Sequence, residues 1–460
     1  MCGNVRLDLM RDSHGWAEID EARKREILEA IRSGKATRGP AHAEIDITDR
    51  CNVACYFCNQ QDVRTKQQIS YEHLVRLIDE LAENGLKSVR LSGGGDPLAH
   101  RDFGRVLDHL HERGIVVDNL TTNAALLTPE IARRLTEYRA REVVVSLNAA
   151  EPADYARMMQ VVPAVFDRVL ANIRGLVAAR GASPFPAVVV QFLLDRQNFR
   201  QLVRMYELGR SLSPDRIAVN LVLNIPGQRF DPSLLLRLED GDQLRPLFED
   251  ILRRDREAAL LQMYFPIHEW NAMIAAIKSD QDYPAESPLF PTASSFQEKN
   301  GQCFFGWYTA TIRGNGDLYP CCLLMLPDYA PLGNALNGRF VDHWNGPAFG
   351  RLREEQREAL IAGDGAGFDP ERHRVIRRQC VEPGACWLKN IYFRGDEKFY
   401  GELGRTLEDL RRHPGLKTRA WNWKERAGLS LKRNARRALP AGTLLGDLAR
   451  RLQRGLRVKA

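Results

Sequence analysis

The chain has 460 residues, room for two or three domains of about 150 residues each and for a sizeable core. Its 44% hydrophobic and 27% charged residues are those of a soluble globular protein and exclude a wholly disordered chain. The net charge of +7 is unevenly placed: residues 411–460 carry 15 Lys/Arg against 2 Asp/Glu, so the first 410 residues carry −6. No apolar run approaches the roughly 18 residues of a spanning helix. The N-terminus, from Met1 to Asp8, lacks the apolar segment of a secretory signal. The sequence therefore predicts a cytoplasmic protein with no transmembrane segment.

In chain order, residues 17–33 read as a charged amphipathic helix and 43–48 (AEIDIT) as a strand. A cysteine-bearing loop, 49–66, follows. Helices are then predicted over 70–84, 102–113, 128–139, 165–179 and 198–211, alternating with strands over 87–92, 115–121, 142–148, 187–194 and 215–223. Gly85 and Gly114 close two of these helices, and β-branched runs mark the strands. Six strands alternating with helices predict a parallel α/β architecture, although rhythm alone does not separate a closed barrel from an open sheet. In either, ligands gather at the C-terminal strand ends. The Cys loop, the Gly93-Gly94-Gly95 turn, Asn123 and Asn148 all fall at such ends. Residues 225–300 break the rhythm, and 301–395 form a Cys-, Gly- and aromatic-rich segment expected to be a small second domain.

Nine cysteines fall at Cys2, at Cys51, Cys55 and Cys58, and at Cys303, Cys321, Cys322, Cys380 and Cys386. Clusters of this kind point to metal binding or catalysis rather than to disulfides. Cys51, Cys55 and Cys58 form C-x3-C-x2-C. A structural zinc asks for four ligands, and His42 and His73 lie outside the loop. Closely spaced thiolates suit an iron–sulfur cluster, and three of them on four irons leave one iron open.

This motif, with Phe57 before its last cysteine and a strand before it, resembles the radical S-adenosylmethionine (SAM) superfamily. The resemblance covers about residues 43–225. It implies a [4Fe–4S] cluster on Cys51, Cys55 and Cys58, with the amino and carboxylate groups of SAM on the open iron. Reductive cleavage would then give a 5′-deoxyadenosyl radical that abstracts a substrate hydrogen. Ser92-Gly-Gly-Gly-Asp-Pro97 is similar to the family's Gly-Gly-Glu-Pro motif, with Asp96 in place of Glu. By that likeness Gly94, Gly95 and Asp96 hold the SAM amino group. Ser146 and Asn148, two apart at a strand end, match the family's ribose-binding pair. Gln191 and Asn220 interrupt apolar strands and need polar partners, for which SAM or substrate would serve. Arg157 is either a salt-bridge partner of the SAM carboxylate or a solvated helix residue.

Cys303-x12-Gly316-x4-Cys321, followed by Cys380-x5-Cys386, is similar to the SPASM or twitch extension of that superfamily. Arg377 and Asn390 stand where a full SPASM domain has further cysteines. Cys303, Cys321, Cys380 and Cys386 would then hold one auxiliary [4Fe–4S] cluster, a four-Cys zinc site being the other reading. Which residue is the fourth ligand stays open. Cys322 is a spare ligand, a buried thiol or a hydrogen donor to a substrate radical. The expected fold is a partial (β/α)6 TIM-like barrel over 43–225, with a helical extension over 1–42, a linker or helical region over 226–300, an α+β iron–sulfur domain over 301–395 and a basic helical tail over 396–460. Leu444, Leu445, Leu448, Leu452 and Leu456 share one face of that tail.

The resemblance further implies a reducing partner such as flavodoxin or ferredoxin. No nucleic-acid partner is expected. The short segment before the core turns the expectation from a peptide toward a small molecule or oligosaccharide, epimerised or, alternatively, oxidised; a peptide-modifying enzyme is the remaining alternative.

Overall fold

The structure is a computed structural model whose described residues are 16–58, 60–61, 64–222, 231–236, 240–263, 303–325, 329–362, 371–376 and 396–412. Cys2, Arg377, Cys380, Cys386, Asn390 and the tail leucines lie outside them. Residues 1–412 belong to one compact unit.

Each predicted strand is present: β1 (His42–Ile45), β2 (Ser88–Leu91), β3 (Val116–Thr122), β4 (Glu142–Ser146), β5 (Ala187–Leu194) and β6 (Arg216–Leu221). Between them run α2 (Tyr71–Glu83), α3 (Phe103–Glu112), α4 (Pro129–Glu137), α5 (Pro152–Met159), α6 (Ala164–Arg180) and α7 (Leu202–Ser211), after an N-terminal α1 (Glu21–Ser33). Start signals act as the sequence suggests: Asp20, Ser70 and Thr128 accept the N–H of Arg23, His73 and Ile131 at the first turns of α1, α2 and α4. Helix α5, between β4 and α6, had no predicted range, and past residue 225 the expected helical region contains α8 (Gly241–Asp255) but continues the α/β rhythm with an unexpected seventh strand, β7 (Leu261–Met263).

The sheet order is β7-β6-β5-β4-β3-β2-β1-β8-β9, and β1 to β7 pair in parallel. The barrel is thus partial, an open sheet ending in β7 and β9. The cysteine-rich C-terminal region joins this same sheet. After α9 (Phe305–Tyr308), β8 (Thr309–Ile312) pairs in parallel with β1, and β9 (Leu318–Tyr319) returns antiparallel to β8. Beyond it, α10 (Phe340–Trp344), α11 (Pro347–Ala362) and α12 (Glu397–Arg412) complete the described chain. Glu80 of α2 caps α10, accepting the N–H groups of Phe340 and Val341 at 2.9 Å each. Buried Arg353 of α11 donates to the carbonyls of Gly306 (2.8 Å) and Trp344 (2.7 Å). Among the described residues, no helix is long and apolar enough to cross a membrane.

The two faces of the sheet differ in chemistry because strand side chains alternate. Ala43, Ile45, Val89, Leu91, Leu120, Val143, Val145, Val188, Val190, Phe192, Ile217 and Val219 join the core shared with helix residues such as Leu74, Leu107, Leu135 and Met205. The opposite face is polar. One register row across five strands reads Thr311, Glu44, Arg90, Asn119 and Glu142. Here Arg90 lies 3.9 Å from Glu44, Asn119 donates to Glu142 at 2.8 Å, and Arg216 pairs with Glu142. That face also carries a small separate apolar patch of buried Val144, Val189 and Ala218.

Phe192 is fully buried and abuts Gly209, whose added Cβ would lie 3.3 Å from its ring. Phe192→Ala is therefore expected to lower unfolding free energy by about 3–5 kcal/mol. Denaturant titration of the variant checks this, and a loss under about 1 kcal/mol would contradict this packing.

Candidate functional site

The first cysteine motif lies on a loop leaving the C-terminal end of β1, and three sets of contacts fix that loop. At its base, fully buried Asp49 donates its N–H to Gln67 O (2.8 Å), and its carboxylate accepts the Thr65 N–H (3.0 Å) and hydroxyl (2.5 Å). One side chain thereby joins the two ends of the loop. Along its body, Ala54 and Tyr56 donate their N–H groups to the carbonyls of Met159 (3.1 Å) and Met158 (3.2 Å), at the C-terminus of α5. The Tyr56 hydroxyl donates to Asp195 at 2.5 Å.

The third contact is the glycine turn after β2. A Cβ on Gly93 would fall 1.7 Å from an Asp46 oxygen, one on Gly94 2.0 Å from an Asp49 oxygen, and one on Gly95 2.0 Å from the Arg50 carbonyl. Gly93 also has φ +101°, which side chains rarely adopt. Only glycine allows this approach. The Gly94 N–H donates to Asp46 (3.0 Å), the Asp96 N–H to Arg50 O (3.0 Å), and Arg64 Nε to Gly94 O (2.5 Å). The turn and the cysteine loop therefore form one body.

Cys51, Cys55 and Cys58 are each half-buried. Arg64 Nη2 lies 3.2 Å from the Cys58 sulfur, and Asn123 Nδ2 lies 4.0 Å from that of Cys51. Burial pushes the Cys51 and Cys55 thiols above the ordinary thiol range. Three neighbouring thiolates in a poorly solvated loop require cationic charge among them, which the irons of a cluster supply. Among the described residues, no group of three His, Cys, Asp or Glu side chains is arranged to hold a single metal ion. Three closely spaced thiols suit a four-iron cluster, whereas a structural zinc asks for four ligands.

The other expected site residues divide. Phe57 packs edge-on against Tyr56 beside the thiols, with centroids 5.5 Å apart. Ser146 and Gln191 are register partners on β4 and β5. Asn220 Oδ1 on β6 is buried without a hydrogen-bond partner among the described residues. Asn148 differs from expectation. The strand ends at Ser146, and Asn148 turns to φ +62°, where its Oδ1 accepts the Leu193 N–H at 3.0 Å. It fastens β4 to β5 instead of standing beside Ser146.

Asp96 is likewise engaged. Its carboxylate accepts the N–H groups of Leu98 (2.9 Å) and Asn123 (2.7 Å) and the Thr122 hydroxyl (2.9 Å), organising the end of β3. Its burial raises its pKa. Arg157 on α5 donates to Gln197 (2.5 Å) and Asp154 (3.1 Å), and its guanidinium lies 6.0 Å from the Tyr56 ring centroid.

The second cysteine group lies toward the other end of β1. Because β9 runs antiparallel to β8, with Tyr319 opposite Thr311, the chain reaches Cys321 and Cys322 near the start of β8. Both line a cavity with His42, Glu44, Phe305, Tyr308, Thr309 and Thr311. Cys303 packs in the neighbouring aromatic cluster of Trp16, Phe304 and Tyr308, and Gln356 Nε2 lies 3.7 Å from its sulfur. Cys380 and Cys386 lie outside the described residues. His42 Nδ1 is 2.9 Å from the Ser88 hydroxyl. Burial, then the charge of Arg90, pushes its pKa down to about 3, so its ring is neutral. His42, Glu44, Asp49 and Arg313 were not expected at a site; the signal for the first two was a polar residue at alternate positions of β1.

The sequence model of the radical SAM superfamily matches residues 45–209, and that of an iron–sulfur cluster-binding domain, SPASM, matches 303–362. The AdoMet-dependent heme synthase of Methanosarcina barkeri is 23% identical over 81% of this chain and 96% of its own. A probable GTP 3′,8-cyclase of Methanosarcina mazei is 30% identical over 61% of this chain and 77% of its own. Among solved structures, Streptococcus suis SuiB bound to S-adenosylmethionine aligns with a TM-score of 0.51 at 18% identity, over 72% of each chain. SuiB bound to precursor peptide SuiA aligns at 0.53 and 19%, over 72% of this chain and 70% of that one. At these identities the structures speak for the fold alone. The two matched regions imply a [4Fe–4S] cluster with SAM and auxiliary iron–sulfur binding. With a three-cysteine loop at the C-terminal end of the first strand of a partial parallel barrel and a cysteine-rich region built onto that strand, this chain belongs to the radical SAM superfamily and carries a C-terminal SPASM domain.

Proposed function

We propose that this enzyme abstracts a hydrogen atom from a hydroxyl-bearing, carbohydrate-type substrate and returns hydrogen from Cys322 to the opposite face, inverting one carbon. The observation that carries this reading is the placement of Cys322 beside Glu44, Thr309, Thr311 and neutral His42, in a lining completed by Cys321 and the apolar rings of Phe305 and Tyr308.

In this reading Cys51, Cys55 and Cys58 hold the four-iron cluster and leave one iron for SAM; when bound, that pair supplies the 5′-deoxyadenosyl radical by reductive cleavage, the electron coming from a partner such as flavodoxin or ferredoxin. Phe57, the Gly94–Gly95 backbone, Ser146 and Gln191 border the SAM molecule. Arg157, which pairs with Asp154 and Gln197, would be the partner of its carboxylate. Cys303 and Cys321 hold the auxiliary cluster, with Cys380 and Cys386 completing it. Glu44 and the two threonine hydroxyls orient substrate hydroxyls. The Cys322 S–H bond breaks as a C–H bond forms on the substrate radical. The resulting thiyl regains one electron, from the same reduced flavodoxin or ferredoxin, and one proton from solvent, which restores the thiol.

A second reading, modification of a peptide, is favoured by the fold shared with SuiB bound to its precursor peptide. Deuterium separates the two when polyol and peptide substrates are offered in D2O. Epimerisation places one solvent deuterium at the inverted carbon. Cys322→Ala is expected to lower epimer formation by about 10²-fold or more while 5′-deoxyadenosine still forms. An oxidised sugar, a cross-linked peptide, or an unchanged rate in Cys322→Ala would overturn the proposal.

The cluster assignment has its own test. Cys51→Ala, reconstituted anaerobically, should bind about four fewer irons per chain and yield no 5′-deoxyadenosine from SAM and dithionite. Retention of both would remove the first cluster from this loop.

A further inference from the structure

The cysteine loop depends on Asp49, and Asp49 has a partner from a distant part of the chain. Arg313, the first residue after β8, places its Nη2 3.5 Å from the Asp49 carboxylate, and the side chains are 5% and 0% exposed. The contact continues through the backbone. A Cβ on Gly314 would lie 2.8 Å from the Asp49 nitrogen, so the turn between β8 and β9 rests directly on the residue that closes the loop. That turn is internally fixed: Arg313 N–H donates to Asp317 O (3.0 Å), and Gly316 N–H donates to Arg313 O (2.8 Å). Residues 303–362 are the matched SPASM region, so the auxiliary region supplies a buried positive charge two residues before Cys51.

A buried carboxylate needs a counter-charge or hydrogen-bond donors on its oxygens. Asp49 receives Thr65 and Arg313 on Oδ2, while its Oδ1 has no hydrogen-bond partner among the described residues. Removing Arg313 leaves the carboxylate held by Thr65 alone in a site that excludes water. Relief comes from shifting the loop base toward solvent, which moves Cys51 relative to Cys55 and Cys58. The latter two are tied through their own segment to α5 and do not follow.

We propose that Arg313 is a positioning residue for the SAM-binding cluster: through its pair with Asp49, the hairpin of the auxiliary region sets the geometry of the loop carrying Cys51, Cys55 and Cys58. This rests on the assignment of the first cluster to those cysteines, which Cys51→Ala tests independently.

The experiment uses the full chain, reconstituted anaerobically and reduced, and follows the electron paramagnetic resonance signal that changes when SAM is added. Arg313→Met should weaken SAM binding read from that change by about tenfold or more, and leave the SAM-insensitive auxiliary signal as in the parent. Arg313→Lys should recover most of the loss. Asp49→Asn combined with Arg313→Met should be no worse than the more impaired single variant, because the two changes remove one interaction. Gly314→Ala, which keeps both charges and displaces the turn, guards against a failure of Arg313→Met to fold and should shift the same signal. A lowered melting temperature with SAM-responsive signal and SAM affinity unchanged in Arg313→Met and in Gly314→Ala would overturn the proposal. Equal loss of both clusters' signals in Arg313→Met and Arg313→Lys would overturn it too.

Discussion

Strand β1 is hydrogen-bonded on both edges, to β2 and to β8, and much of the site's geometry depends on that double pairing. One edge places the glycine turn of β2 against the cysteine loop. The other places the hairpin of the auxiliary region against the same loop at Asp49 and, near its opposite end, brings Cys321 and Cys322 to His42 and Glu44. Four residues of strand thus hold two cysteine groups at a fixed separation. Strand rise is about 3.3 Å per residue, so β1 alone sets roughly 10 Å between them, before either loop adds its own length.

That arrangement constrains electrostatics as much as distance. Glu44, Asp46 and Asp49 are all buried, at alternate or nearby positions leading into Cys51. Burial and the neighbouring Glu44 charge hold Asp46 far above the ordinary carboxylate range, and Arg313 opposes this. An acidic strand end would resist a cluster and SAM bearing further negative groups. The structure answers with cations and N–H donors that converge there: Arg64 at Cys58, Gly94 N–H at Asp46, and Arg313 at Asp49. The glycine turn therefore has a structural duty of its own, since each glycine lets backbone reach a carboxylate or carbonyl that a side chain would block.

What the sequence made legible was local. The C-x3-C-x2-C spacing, the triple glycine and the alternation of helices and strands each occupy one short stretch, and the structure places the first two in contact. What it concealed was non-local. Nothing near Arg313 announces Asp49, 264 residues earlier, and nothing in Thr309–Ile312 names β1 as its partner. Helix α5 had no predicted range for a different reason, although Arg157 was placed on a helix: its run is only eight residues long and opens on Pro152, which is at home in a helix's first turn. Asn148 does not stand beside Ser146 because period-two spacing holds only while the strand lasts, and the strand stops at Ser146.

The same alternation explains why a superfamily core can accept new substrates without losing its fold. Stability resides on the face where Ile45, Leu91, Val145 and Phe192 meet the helices. The row from Thr311 through Glu44 and Arg90 to Glu142 contributes little burial of apolar area. Its charges are paired with one another across strands instead. Exchanging polar residues on this face changes what can be hydrogen-bonded there, while the apolar layer behind it keeps β1 and its two loops where the chemistry needs them. Polar pairing in this chain therefore lies on one side of the strands and apolar rigidity on the other, and β1 carries both.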